Sequence, residues 1–230
     1  MAERSGQRAA RAAGPARRLS DVAYDRILEH LFDRRLPAGA FVSQNDLVKL
    51  VGVPVAPLRD ALRVLEAEGI LTILPRSGIQ FVKPGLELTK STFQFRTIIE
   101  RAAVRVFAET ADESAIIAIR RRHLDMMLKL ESADLTAELL AELEEIEALL
   151  HNATIASLRN PLIETTYRRM HNYLRLVRLD RRLTVPIARR SLREHLEIIA
   201  AVEERNPDAA EAAVTAHFTA ALQRHLGMFL

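Results

Sequence analysis

The sequence predicts a mainly α chain in two parts: an N-terminal unit of three short helices and a hairpin, then an all-α antiparallel helical bundle. Three observations carry this expectation. Residues 43–69 hold two amphipathic stretches divided at Gly52, with a serine opening the first and prolines opening the second. Residues 70–74 and 79–82 are β-prone runs joined by Pro75-Arg-Ser-Gly78, which reads as a hairpin with a short loop. Beyond residue 85 no glycine occurs before Gly227, and prolines stand only at 161, 186 and 207, so helical pattern runs almost unbroken.

Taken in order, Ser20 is placed to cap a first helix from Asp21 to about residue 34, with Val22, Ile27, Leu28 and Leu31 turned inward. Ser43, with Asp46 three residues on, can satisfy free amides at the start of a second helix, which Gly52 ends. Pro54 and Pro57 suit the opening turn of a third, where a missing amide hydrogen costs least. In that helix Leu58, Ala61, Leu62 and Leu65 form one stripe and leave Arg59, Asp60 and Arg63 facing outward, and Gly69 ends it. Helix, tight turn, helix and hairpin make a winged helix-turn-helix over residues 20–83. Such a third helix fits the major groove of double-stranded DNA, with the hairpin close to the backbone or the minor groove. Residues 84–88 are expected as a linker and 89–230 as the second domain, with helices at about 89–110, 112–131, 135–158, 161–180, 186–205 and 207–227.

Composition narrows the function. Apolar residues make up 49% and charged ones 27%, enough to bury a core and remain soluble. The absence of cysteine excludes disulfides, thiolate metal sites and a cysteine nucleophile. No apolar run reaches membrane-spanning length and the start lacks the apolar core of a secretory signal, so no membrane partner is expected and the protein is placed in the cytoplasm, with the nucleoid. Residues 1–19 carry five arginines against one glutamate, whereas residues 20–85 are balanced at eight each and the remainder holds twenty basic against twenty-one acidic side chains. The excess charge therefore sits in an N-terminal tail, expected to be disordered alone and able either to lie along phosphates or simply to solubilise.

Histidines on apolar stripes are the second domain's candidate chemistry. Leu192, His195, Ile199 and Val202 share one helical face, as do Val214, His217, Phe218 and Ala221. Glu147 and His151 stand one turn apart on a third helix. A carboxylate and a histidine at that spacing, joined by one histidine from each of two further helices, suit a divalent metal with positions left open. Each histidine alone also fits a plain core position, and spacing alone does not join them. His123 and Glu144 are rival ligands.

Both halves resemble a known family. Leu36-Pro-Ala-Gly39, the segment Gly52 to Leu62 (GVPVAPLRDAL), Leu65 to Gly69 (LEAEG) and Pro75 to Gly78 (PRSG) resemble the DNA-binding domain of GntR-family transcription regulators over about residues 20–85. Arg96 to Glu100 (RTIIE) with Ala102-Ala103, Leu150 to Pro161 (LHNATIASLRNP), Glu194 to Ile199 (EHLEII) and Ala212 to His217 (AAVTAH) resemble the FCD effector domain of the FadR subfamily over about residues 90–226. The resemblance implies DNA contacts from Ser43, Gln44, Val55, Ala56, Arg59, Arg63, Arg76, Ser77 and Gly78. Val55 stands where the family usually carries an operator-contacting arginine, so Val55 and Ala56 are expected to make apolar contacts, for instance with a thymine methyl, while Arg59 supplies the hydrogen-bonding readout. The family's metal ligands, an Asp and three His, fall on Glu147, His151, His195 and His217, with glutamate replacing the usual aspartate.

The resemblance also implies Zn or Ni as the ion and a small organic acid as effector, with Arg96 as the cation that balances it. Against that role, Arg96 and Glu100 are spaced for a surface ion pair. Met126, Met127, Met170 and Tyr173 are candidates for the apolar lining of the pocket, or for ordinary core. The expected function is a DNA-binding regulator rather than an enzyme, a repressor that acts as a homodimer on a palindromic operator and is released by its effector. Two other readings stand beside it: a metal-dependent hydrolase or lyase on the bundle, and a DNA-binding dimer with no ligand.

Overall fold

The computed structural model describes residues 17–132, 134–179 and 183–227. The tail expected over residues 1–19 falls, up to residue 16, outside them. Contacts divide the chain between Val82 and Lys83.

The first unit holds α1 (Leu19–Phe32), β1 (Phe41–Val42), α2 (Gln44–Val51), α3 (Val55–Ala67), β2 (Leu71–Leu74) and β3 (Gly78–Phe81). Ser20 is not the cap of α1: the helix starts at Leu19, two residues earlier than expected, and the Arg18 carbonyl takes the amides of Asp21 and Val22. Ala23, rather than Val22, completes its buried face with Ile27, Leu28 and Leu31. Ser43 caps α2 by accepting the Asp46 amide at 3.1 Å, and its hydroxyl donates back to the Asp46 carboxylate at 2.6 Å. Gly52 closes α2 in the left-handed region at φ 67°, where a side chain would be strained. Leu58, Ala61, Leu62 and Leu65 are all buried, so α3 presents its charged face outward as its spacing predicts.

The wing has one strand more than the hairpin expected. β1 joins the sheet beside β3, in the order β1-β3-β2, with every pair antiparallel. Gly78 makes that closure possible: a Cβ there would lie 2.8 Å from the Val42 carbonyl oxygen and 2.9 Å from the Phe41 ring.

The second unit is α4 (Leu86–Thr110), α5 (Glu113–Ser132), α6 (Ala137–Ala156), α7 (Pro161–Leu179), α8 (Val185–Glu203) and α9 (Pro207–His225). α4 begins inside the stretch expected as linker, because the Gly85 carbonyl takes both the amide and the hydroxyl of Thr89. Asn160 and Asn206 cap α7 and α9 through backbone amides two and three residues on, each just ahead of a proline at the first helical position. α4 packs on α9, α6, α7 and α8, and α8 in turn on α9 and α5. One core cluster between these helices is apolar, built from Phe93, Val104, Phe107, Leu150, Ile198 and Phe218 among others. Among the described residues no helix is long and apolar enough to cross a membrane.

Candidate metal centre and nucleic-acid interface

In the first unit Val55, Ala56, Arg59 and Arg63 are exposed on α3, and Arg76 and Ser77 at the wing tip. The Arg59 Nε donates to the Gln44 side-chain oxygen at 3.3 Å, so the starts of α2 and α3 are tied across the turn. Arg76 holds φ at 64°, which sharpens the wing tip and leaves its guanidinium in solvent. Ser43 is exposed and Gln44 half-buried; Gly78 is occupied in sheet closure.

In the second unit three helices converge on one point. His151 from α6, His195 from α8 and His217 from α9 are buried, and one ring nitrogen of each lies within 4.8 Å of the other two. Ring centroids are 4.9 Å apart for His151 and His195, 4.7 Å for His195 and His217, and 5.4 Å for His151 and His217. Their neighbours set which nitrogen is free. The His151 Nδ1–H donates to Glu100 at 2.5 Å and the His217 Nδ1–H donates to Glu194 at 2.9 Å, since a carboxylate only accepts. Burial and the surrounding positive charge hold all three rings neutral: His151 is pushed down to about 4, and His195 and His217 also lie below the ordinary histidine value. A neutral ring with Nδ1 protonated has a bare lone pair on Nε2. The His195 Nε2 is buried with no hydrogen-bond partner, a loss that a protein core rarely tolerates. Three neutral imidazoles, two backed by carboxylates and one with an orphaned buried nitrogen, fit a divalent ion.

The carboxylates behind these rings are themselves anchored. Glu100 is fully buried and takes hydrogen bonds from Arg96 Nε at 2.9 Å and the Tyr167 hydroxyl at 2.6 Å besides that from His151. Burial alone would raise its pKa, but Arg96 and His151 hold it down to about 2. Glu194 is gripped by both terminal nitrogens of Arg224, at 2.5 and 2.7 Å, and by His217, which together bring it to about 2 against the cost of burial.

The structure places the remaining candidates as follows. Glu147 stands outside the three-histidine group, although it sits one turn before His151. Its longer side chain reaches Arg178 on α7 at 3.0 Å and the Ser191 hydroxyl; burial opposes its charge, and these two partners keep it ionised. Arg96 does pair with Glu100, but in the interior rather than at the surface, 2% exposed and with its guanidinium 4.5 Å above the Phe218 ring. Glu144 is exposed on α6 and belongs to no such group. His123 is buried behind His195 and is not one of the three. Met126 packs with Leu130, Leu143 and Leu192, and Met170 with Ala103, Ile155 and Tyr167, so both are core; Met127 packs beside Met126, and Tyr173 is half-buried.

Some of the site was not legible from sequence. The i,i+4 spacing exposed the Arg96–Glu100 pair but gave no hint of its burial. No spacing links Glu194 to His217 or Arg178 to Glu147, because these meetings depend on how helices pack.

The FCD domain matches residues 91–220. The bacterial regulatory proteins of the gntR family match residues 19–81. The chain belongs to the GntR family and carries an FCD domain. This GntR/FCD regulator is 26% identical over 202 residues to the uncharacterized HTH-type transcriptional regulator YdhC of Bacillus subtilis (strain 168), with 85% of each chain covered. It is 27% identical over 195 residues to the Nta operon transcriptional regulator of Aminobacter aminovorans, covering 84% of this chain and 85% of that one. Among solved structures, E. coli McbR/YncC matches with a TM-score of 0.73 at 14% identity, over 93% of this chain and 99% of that one. The family and the relatives make the GntR/FCD protein a transcriptional regulator and not an enzyme.

Proposed function

We propose that this regulator is a repressor of the FadR subfamily, a cytoplasmic homodimer on a palindromic operator, whose hold on DNA is set by a small organic acid bound at a metal centre in the FCD domain. The observation that carries the reading is the convergence of His151, His195 and His217, with the buried His195 Nε2 left without a partner, at a point that a purely structural core would have filled with apolar side chains. His151, His195 and His217 would hold the ion, Zn or Ni. Such an ion supplies a charged open position for a carboxylate. Arg178, whose side chain is 34% exposed, is better placed than the buried Arg96 to meet the same anion, and Glu147 is a fourth ligand in reserve once an anion draws Arg178 away.

On the DNA side Arg59 and Arg63 read base edges or phosphates from α3, Val55 and Ala56 make apolar contacts, Ser43 and Gln44 meet the backbone at the start of α2, and Arg76, Ser77 and Gly78 bring the wing to the duplex. An effector changes operator affinity only by the difference in its own affinity for the two arrangements of the dimer.

Selection of operators from random duplexes by the purified protein, followed by titration of carboxylic acids with and without zinc, tests the reading. A palindromic consensus whose binding is weakened by an acid in the presence of zinc is expected. Absence of any preferred sequence, or release that ignores both acid and metal, overturns it. In the same assay Arg59→Ala is expected to cost about 1–3 kcal/mol at the preferred base, at fixed salt.

A further inference from the structure

His123 lies on α5, wholly buried at 0% exposure, and makes one hydrogen bond from each ring nitrogen. Its Nδ1 is 2.8 Å from the Ile119 carbonyl oxygen, and a carbonyl accepts only, so Nδ1 carries a proton. Its other partner is the His195 Nδ1 at 3.2 Å, and no carboxylate stands among its bonds. The Glu147 carboxylate favours an imidazolium there but makes no hydrogen bond to the ring, and burial outweighs its pull, so the ring is neutral and its Nε2 is an acceptor. The donor between the two rings must then be the His195 Nδ1–H. That leaves the His195 Nε2 bare, and this is the buried nitrogen without a partner.

We propose that His123 is a positioning residue for the metal centre: its neutral imidazole locks His195 in the Nδ1–H tautomer and so aims the Nε2 lone pair at a divalent cation. The inference rests on the reading of the three histidines as ligands. It assigns to His123 the task that Glu100 performs for His151 and Glu194 for His217, with the difference that the backing group carries no charge. A free imidazole favours the opposite tautomer, in which Nε2 holds the proton. Without an acceptor at Nδ1, His195 would present that hydrogen to the site and would have to lose it before binding an ion. α5, which contributes no ligand, thereby enters the centre through one hydrogen bond, and the ion's backing is less negative than three carboxylates would make it.

The test uses the full-length protein stripped of metal by a chelator, with His123→Leu to keep bulk but remove the acceptor, and His123→Gln to restore it. In the glutamine variant the side-chain oxygen can accept from His195 while the amide donates to Ile119. Nitrogen-15 imidazole spectra of the stripped wild type are expected to show His195 protonated at Nδ1. In His123→Leu the Nε2–H form appears, and zinc affinity, read by competition with a chromogenic chelator, falls about 10- to 100-fold while one zinc per chain is still bound at saturation. His123→Gln recovers most of that loss. A His195 protonated at Nε2 in the stripped wild type overturns the proposal even if neither variant folds. So does a folded His123→Leu that binds zinc as the wild type does, and so does a His123→Leu that loses zinc altogether with no rescue by glutamine, which would make His123 a ligand. Wild-type protein that binds no zinc refutes the metal reading separately, since the tautomer is measured without metal.

Discussion

Glu100 has no exposed surface and serves three partners at once: a cation, a phenol and an imidazole. Replacing it by Gln keeps the shape but leaves Arg96 buried without a counter-charge, and a buried pair broken from one side costs about 3–5 kcal/mol. The denaturant midpoint of stripped Glu100→Gln should fall accordingly, with zinc affinity reduced because His151 loses its charged acceptor. Arg178→Ala is expected to act in the opposite sense on the metal. It removes the partner that holds Glu147 away from the histidines, so stripped protein loses about 1–2 kcal/mol while zinc binds more tightly. Chelator competition and thermal melts on the same samples read both effects. At this scale sequence showed the histidines clearly, because each sits on an apolar stripe where a polar side chain is conspicuous. It could not show that the extra methylene of Glu147 would be used to reach α7, since that depends on where a distant helix lies.

Helix limits were the most legible elements, and for a physical reason. Asn160 with Pro161 and Asn206 with Pro207 both cap and open their helices, and their observed starts fall where those residues place them. Ser20 misled because a serine near a helix start competes with other solutions, and here a backbone carbonyl supplied the bonds. β1 was invisible for a different reason: two residues are too few for any alternation, and its pairing is set by the approach of Gly78. Gly78→Ala therefore tests the wing as an element. With φ at 148° and a Cβ 2.8 Å from backbone, the substitution is expected to cost about 1–3 kcal/mol and to detach β1, with operator binding weakened and the FCD domain's zinc affinity unchanged. Ser43→Ala, which removes the cap of α2, should cost about 1 kcal/mol of stability in a denaturant melt.

For the molecule as a whole, acid should act through its buried imidazoles. His151 and His171 are both lowered to about 4, and His123, His195 and His217 also lie below 6.5, chiefly because burial disfavours charge. The unfolded chain takes up these protons first, so stability is full above about 6.5 and is lost as pH falls toward about 4. Melts of stripped protein between pH 8 and pH 5 should show this decline. At pH 8, zinc at about one hundred times its dissociation constant should add about 2.7 kcal/mol by mass action. His151, His195 and His217 belong to α6, α8 and α9, so an ion held by all three would rivet α9 to the middle of the helical unit. Withdrawing that rivet makes the carboxyl-terminal segment the first part to fray, and limited digestion should nibble there in chelator while the same bonds resist the protease once zinc is returned.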